Sequence, residues 1–433
     1  MKTLDIFIPK RYQLEYFLIL LLPLTAVFSI FFLEFILVIL IFSFLWRIIL
    51  NFEKKYFINK FFIIFSIFNL YLLVNYFLSE KNENFNYLFV FFYFRYGLYV
   101  ISIYYFLDKI ENLEINFLKS VIFIISILIL DSFFQFYAGH NLIGNQMIGG
   151  NRVSSFFGEE SILGSYLIKI LPFLYLFLIK NFTKKNLYFI FSLIILANIV
   201  VFISGERAAF FLMVLMNLYF IVMDKNLRVA KILLILVSFI FIIIIFLNSN
   251  NTKQRYLKTF KELVKSKNLN NKDEHSIENV NNEILNGNLL KGDHYIISPS
   301  HNNYFITSIR MFKDNKIFGH GPKSFRYKCK DKKYAINIWS CSTHPHNYYI
   351  QLLAELGLIG FSIPFLVFIF FSFKSLILLF SENKNSIKIC CYAFIIINLW
   401  PLTTTGNFFN NWLSIMIYLP FSFYLFNMQK YDN

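Results

Sequence analysis

Along this chain, apolar runs of about 20 residues alternate with short polar or charged breaks, a pattern that matches helices crossing a bilayer. The runs fall near 14–31, 33–50, 58–78, 86–107, 117–138, 160–179, 186–203, 207–223, 229–247, 357–380, 387–402 and 411–428. They predict an all-α integral membrane protein of about twelve transmembrane helices. The stretch 16–50 is nearly continuous, with Glu34 as the break inside it; without a turn there the count is about eleven. One connection, 248–345, is far longer than the rest and separates helices 9 and 10 of this scheme. The chain divides accordingly into an N-terminal bundle over 1–247, a loop domain over 248–345, and a C-terminal part over 346–433 that opens with a helix outside the membrane.

Charge then orients the spans. Lys10 and Arg11, then Arg47, Lys54, Lys55 and Lys60, then Lys109 and Lys119 fall at every second connection. Lys180, Lys184 and Lys185, then Lys225, Arg228 and Lys231, then Lys384 and Lys388 continue the alternation. Both termini are therefore expected in the cytoplasm and the long loop on the outer side. The first apolar run passes into the second without a small-residue cleavage site, so no signal peptide is expected.

Composition adds little beyond this. The chain of 433 residues is 57% hydrophobic and 21% aromatic, with a formal charge of +16. The basic residues sit in short clusters between apolar runs, where topology accounts for them without a nucleic-acid partner. Phe, Ile, Lys and Asn are abundant throughout, so position says more than number. The absence of an internal repeat and of a large central cytoplasmic loop argues against a two-halves transporter.

The long loop is Asn- and Lys-rich to about residue 300. Its segment "RYLKTFKELVKSK" puts Tyr256, Phe260, Leu263 and Val264 on one helical face, as in a helix lying on a membrane surface. Residues 268–288 have the composition of a flexible stretch. Cys329 and Cys341 lie in this loop, where a disulfide persists on the oxidising side and pins the segment before residue 344; two free thiols are the alternative. Cys390 and Cys391 lie inside a span and read as packing residues.

Candidate chemistry concentrates in "CSTHPHNYYIQLLAELGLIG", residues 341–360. Pro345 disfavours helix at His344 and suits a first helical position, which predicts a helix starting at Pro345 with His346 in its first turn. There the positive end of the helix dipole keeps an imidazole neutral and able to accept a proton. A general base and a merely capping histidine fit this pattern equally. Asn347, Gln351 and Glu355 follow at intervals of four as one polar stripe.

Cations are the second signal. Arg95 and Lys169 each lie about nine residues inside a span, roughly 13 Å from the outer end, where an uncompensated charge costs at least ~2.5 kcal/mol. Asp131 is the one obvious acid inside a span and cannot neutralise both. One buried Asp131 ion pair with a snorkelling second cation is one arrangement, and a cationic cavity open to the outer face is the other. Arg207 in "SGERAAF" opens a span from the outer side, Arg152 in "NRVSSFFGEE" enters from the same side, and Arg310 and Arg326 lie near "GHGPKSFR". Guanidinium forks match phosphate oxygens, so this grouping suggests a phosphorylated ligand. His294, His301, His320, His344 and His346 match no standard zinc spacing, and no metal site or cofactor is expected.

These landmarks resemble the O-antigen ligase and polymerase superfamily of bacterial envelope glycosyltransferases. The similar segments are "RVSSFFGEESILGSYL", "SGERAAF", "FGHGPKSFRYKC", "HPHNYYIQLLAELGLIG" and "TTTGNFFNNW", in that order over the second two-thirds of the chain. The resemblance implies an inner-membrane enzyme with a periplasmic active site. Such an enzyme moves a glycan from undecaprenyl diphosphate to an acceptor hydroxyl without a metal, the acceptor being lipid A core or a repeat unit. It implies that His346, followed by Asn347, is the catalytic base and that Arg207 and Arg152 hold the diphosphate, with Lys169 at a place where relatives often carry a basic residue. Arg95, Arg326 and Arg310 are further candidates for the diphosphate, and Glu355 and His344 for support. A transporter of an anionic or lipid-linked solute is the alternative for the same cationic cavity.

Overall fold

The computed structural model describes residues 10–80, 87–249, 252–257, 299–337, 339–382 and 385–432. Ten helices precede the long loop: α1 (Gln13–Phe28), α2 (Ile30–Leu50), α3 (Lys60–Leu78), α4 (Leu88–Phe92), α5 (Arg95–Lys109), α6 (Leu113–Ala138), α7 (Leu163–Lys180), α8 (Lys184–Ile203), α9 (Arg207–Met223) and α10 (Arg228–Asn248). An outer helix, Pro299–Asp314, the single turn Phe325–Lys328, the histidine helix Tyr348–Phe380, and the helices Ser386–Asn398 and Asn411–Asp432 follow. Among the described residues no strand forms, only two isolated bridges. Among the described residues eight helical segments are long and apolar enough to cross a membrane, α4 and α5 counting together as Leu88–Lys109, and Gln13–Phe28, Arg207–Met223 and Ser386–Asn398 are shorter apolar helices. The chain is thus an all-helical, polytopic membrane protein, as hydrocarbon demands: every backbone amide must be satisfied within its own helix.

Aromatic rings fill the centre. Tyr93, Tyr96, Tyr99, Phe117, Phe173 and Phe394 are fully buried, while Phe31, Phe42, Ile240 and Phe373 stay exposed on the belt that lipid covers. At the end remote from the histidines, the basic residues of alternate connections are paired. Arg47 meets Glu15, Lys55 meets Asp108, Lys180 meets Glu114 and Lys231 meets Asp224.

Several expectations need correction. The break between the first two helices is at Ser29, whose extended backbone ends α1 and whose hydroxyl caps α2, and not at Glu34. Glu34 lies within α2 and pairs with Arg95 at 3.3 Å. The fourth run is not one uninterrupted helix, since the chain turns at Tyr93 and Phe94 and Arg95 opens α5. Among the described residues Asp131 forms no ion pair with a membrane cation. Its carboxylate accepts from Leu142 N at 2.9 Å and Ser155 Oγ at 2.5 Å, fastening the loop between α6 and α7.

The histidine helix also starts elsewhere than the proline predicts. Tyr348 is its first residue, and Asn347 is the N-cap, its Oδ1 accepting from Tyr349 N at 3.0 Å and Ile350 N at 3.1 Å. His346 precedes the cap in the left-handed region, at φ 60°. The helix then kinks at Gly357, φ 65° and ψ −165°, where a Cβ would lie 2.3 Å from Ile317 O; only glycine fits there. Across the kink, Leu358 N donates to Lys316 O and Gly321 N to Glu355 O, each at 2.8 Å. That docking fixes the loop carrying Lys323 and Arg326. A Cys329–Cys341 disulfide ties the same loop to the segment before the histidines. Of the expected surface helix, Tyr256 is described and packs on the bundle end, stacked on Phe202 at 4.8 Å; Phe260, Leu263, Val264, the flexible stretch 268–288 and His294 lie outside the described residues.

Candidate functional site

The polar stripe of the histidine helix is buried, and that explains why it holds the site together. Asn347 Nδ2 donates to the carbonyls of Pro401 at 2.8 Å and Thr403 at 3.0 Å. Gln351 Nε2 reaches Glu355 at 3.0 Å and Asn407 Oδ1 at 3.1 Å, and Gln351 Oε1 accepts from Phe408 N at 3.0 Å. Glu355 in turn accepts from Lys323 N at 3.0 Å and Phe325 N at 3.2 Å. One helix face thus clamps the loop 401–410 on one side and the loop 321–326 on the other. Unsatisfied, these buried groups would each cost about 1–3 kcal/mol.

Between these loops stand the two imidazoles. The rings of His344 and His346 are 4.2 Å apart, and His346 also lies 5.3 Å from His301 and 5.5 Å from Tyr304 of the outer helix. His346 Nε2 is 3.3 Å from Ser342 Oγ, and its carbonyl accepts from Thr405 N at 2.8 Å. His344 Nδ1 meets Thr343 Oγ1 at 2.9 Å. Its Nε2 is buried beside the Thr405 backbone without a well-aligned partner among the described residues. Burial depresses all three histidines: His346 goes below its ordinary value, His301 falls to about 4 and His344 to about 3, the last two pushed further by the His346 charge. The rings are therefore neutral near pH 7. Burial keeps His346 neutral, and the first helical turn, which it does not occupy, is not the cause.

On the His301 side lies a group of guanidiniums around the turn Ser204–Gly205–Glu206. Arg152 Nε donates to Ser204 O at 3.3 Å, and Arg255 Nε to Gly205 O at 3.1 Å. Gly205 is left-handed, and a Cβ there would stand 2.6 Å from Arg255 Nε, so the guanidinium needs that glycine. Arg207 opens α9 beside them, and its charge reaches His301. Burial and then the charges of Arg152 and Arg207 bring Arg255 down to about 10; burial also lowers Arg152, while Glu206 opposes the shift. Glu206 is committed elsewhere. It accepts from Gly164 N at 2.6 Å, Ser165 N at 3.0 Å and Ser165 Oγ at 2.5 Å, capping the start of α7. Three cations thus crowd one turn whose acid caps a neighbouring helix, an arrangement that favours a bound anion.

On the His344 side a cavity of ≈490 Å³ opens between the loops and runs down among the helices. His344, Lys323 and Arg326 line it near the loops, and Lys169 lines it between helices, with Nζ on Asn398 Oδ1 at 2.8 Å. Lys323, left-handed at φ 58°, places Nζ 3.9 Å over the Phe89 ring, and burial followed by the Arg326 charge lowers it to about 8.

The structure sorts the sequence candidates. Arg152 and Arg207 belong to the turn 204–207, while Lys169 and Arg326 line the cavity, which Ala208 and Ala209 line too. Arg95 is paired with Glu34 and bonded to Tyr96 Oη at 2.7 Å, outside the cavity lining, although its charge reaches Lys323. Arg310 is exposed on the outer helix and donates to Ala335 O at 3.0 Å. Sequence reasoning passed over Arg255, Lys323 and Tyr304 and considered His301 only as a metal ligand. Lys323 sits in the quoted "GHGPKSFR" and Arg255 opens "RYLKTFKELVKSK", yet neither stretch reveals that the fold sets Lys323 over Phe89 and Arg255 against Gly205.

Among the described residues no cluster of three or more His, Cys, Asp or Glu side chains could hold a metal ion. In comparison with known proteins, residues 190–365 match the family model described as O-antigen ligase. The matched segment contains Arg207, Arg255, His301, Lys323, Arg326, His344 and His346, and it leaves out Arg152, Lys169 and the loop 401–410. No curated protein matches the chain.

Proposed function

With residues 190–365 supporting membership of the O-antigen ligase and polymerase superfamily, we propose that this chain is an inner-membrane glycosyltransferase of about twelve spans. Both termini face the cytoplasm and the histidines face the periplasm. It takes a glycan from undecaprenyl diphosphate and passes it to an acceptor hydroxyl, on lipid A core or on a growing repeat unit, in surface polysaccharide biosynthesis.

In this proposal His346 is the general base. It takes the proton from the acceptor hydroxyl as that oxygen bonds to the anomeric carbon and the bond from that carbon to the phosphate oxygen breaks, with inversion. Arg207 and Arg152, joined by Arg255, hold the departing diphosphate, whose charge grows in the transition state. No metal is needed for that role. The polyprenyl tail lies along the apolar belt. Arg95 and Arg310 take structural parts, and Lys169 and Arg326 belong to the cavity beyond His344.

The observation that carries the proposal is the His346 ring 5.3 Å from His301, a ring that the Arg207 charge reaches, with burial favouring the neutral form of both imidazoles. A base and an anion-holding group side by side suit group transfer; a transport pathway needs no base. Purified protein given a polyprenyl diphosphate glycan donor and an acceptor tests it. The wild type transfers and His346→Ala does not, at equal membrane abundance. Undiminished transfer by His346→Ala overturns the assignment of the base, and absence of transfer by the wild type with either acceptor class overturns the enzyme.

A further inference from the structure

The cavity beside His344 has contents that the donor chemistry does not use. Trp400 Nε1, Thr403 Oγ1 and Thr405 Oγ1 are buried and have no hydrogen-bond partner among the described residues, and all three residues line it. An orphaned buried polar group costs about 1–3 kcal/mol, and three of them fall in one short segment beside the cavity. Asn407 and Asn410 add amides to the lining, and Phe409 and Trp412 add ring faces. Hydroxyl and amide groups beside aromatic faces suit a sugar ring, and ≈490 Å³ is ample for one.

The charge in this cavity is also biased. Lys169, Lys323 and Arg326 line it against the acid Glu160, with Glu355 behind the loop accepting from the Lys323 and Phe325 amides. Arg326 acts on His344, whereas Arg207 acts on His301, and Ala208 and Ala209, the residues after Arg207, also line the cavity, so it adjoins the diphosphate group.

We propose that this cavity is the subsite for the acceptor, and that it takes a sugar unit bearing an anionic substituent, a carboxylate or a phosphate, against Lys323 and Arg326. The proposal rests on the transferase reading above. The loop 401–410 reads the sugar hydroxyls, and clamping by Asn347 and Gln351 sets that loop in register with the histidines.

The test uses the full chain purified in detergent and saturation-transfer NMR, with methyl glucoside, methyl glucuronate and glucose 6-phosphate as probes. Both or either of the anionic probes bind about tenfold more tightly than the neutral one, and the tighter of the two identifies carboxylate or phosphate. Lys323→Gln and Arg326→Gln each remove most of that preference, Lys323→Arg keeps it, and Thr403→Ala/Thr405→Ala weakens all three probes. Melting temperatures identify variants that lose the fold, and Lys323→Arg then carries the comparison. Equal binding of the three probes by the wild type, or a preference that survives both glutamine variants, overturns the inference. Transfer from a polyprenyl diphosphate donor by the same preparation is the separate readout: anion preference without any transfer sinks the transferase reading alone, and transfer without anion preference sinks the acceptor subsite alone.

Discussion

The two cation groups flanking the histidines are built on different plans. Around Ser204–Gly205–Glu206 the guanidiniums hang on backbone carbonyls, Arg152 on Ser204 and Arg255 on Gly205, and they repel one another while Glu206 acts against that repulsion. In the cavity, Lys323 and Arg326 share space with hydroxyls, amides and rings from the loop 401–410. The first plan suits a dense anion, and the second suits a shaped, hydroxylated group. Positive charge alone does not distinguish them. What surrounds each cation does.

That contrast can be broken by mutation. The largest effect is expected at the base between the groups: His346→Ala lowers kcat by about 10²–10⁴-fold, measured as glycan transferred per enzyme at saturating donor and acceptor. Next comes Arg207→Lys, which keeps the charge but loses the fork. It raises the donor KM or lowers kcat about tenfold and leaves the acceptor KM alone, and full activity would remove Arg207 from the diphosphate group. Asn347→Ala deletes the cap and the bonds to Pro401 and Thr403. It costs about 1–2 kcal/mol, read as a lowered melting temperature together with a raised acceptor KM, because the loop 401–410 loses its anchor.

The smallest effect sharpens the comparison through pH. Burial holds the His346 pKa below its ordinary value, so the base stays unprotonated to more acid pH than a free imidazole, whose pKa is about 6.5. Transfer should remain flat as pH falls from 8 through 6.5 and decline only below that, in a profile of kcat/KM against pH. A decline centred above 6.5 would mean that the ring is held protonated by an acid, contrary to the surroundings of His346.

How much was legible beforehand varied with the range of the interactions. The apolar runs placed the helices well, because a bilayer selects for length and hydropathy, which are local properties. Local rules failed where a distant partner decided the outcome. Pro345 predicts a helix start, yet Asn347 caps the helix because its side chain is drawn between Pro401, Thr403 and the first amides of the turn. Asp131 looks like half of an ion pair, yet the loop folding back over α6 supplies Leu142 N and Ser155 Oγ first. Glu34 looks like a loop residue, yet it stays helical and meets Arg95 from another helix.

By itself the sequence determined that this is a many-spanned helical membrane protein, and it singled out His344, His346 and Arg207 as candidates in the long loop, the segment after it and the start of a span. Residue type and hydropathy carry that much because they set which groups water and lipid accept. Only the tertiary structure decided which cation stands with which histidine. It gathered Arg152 and Arg255 at the turn before Arg207, set Lys169, Lys323 and Arg326 along a cavity beside it, and brought Thr403 and Thr405 into that lining. Those choices depend on contacts between residues fifty or more positions apart, where packing and hydrogen-bond geometry act and no local pattern survives.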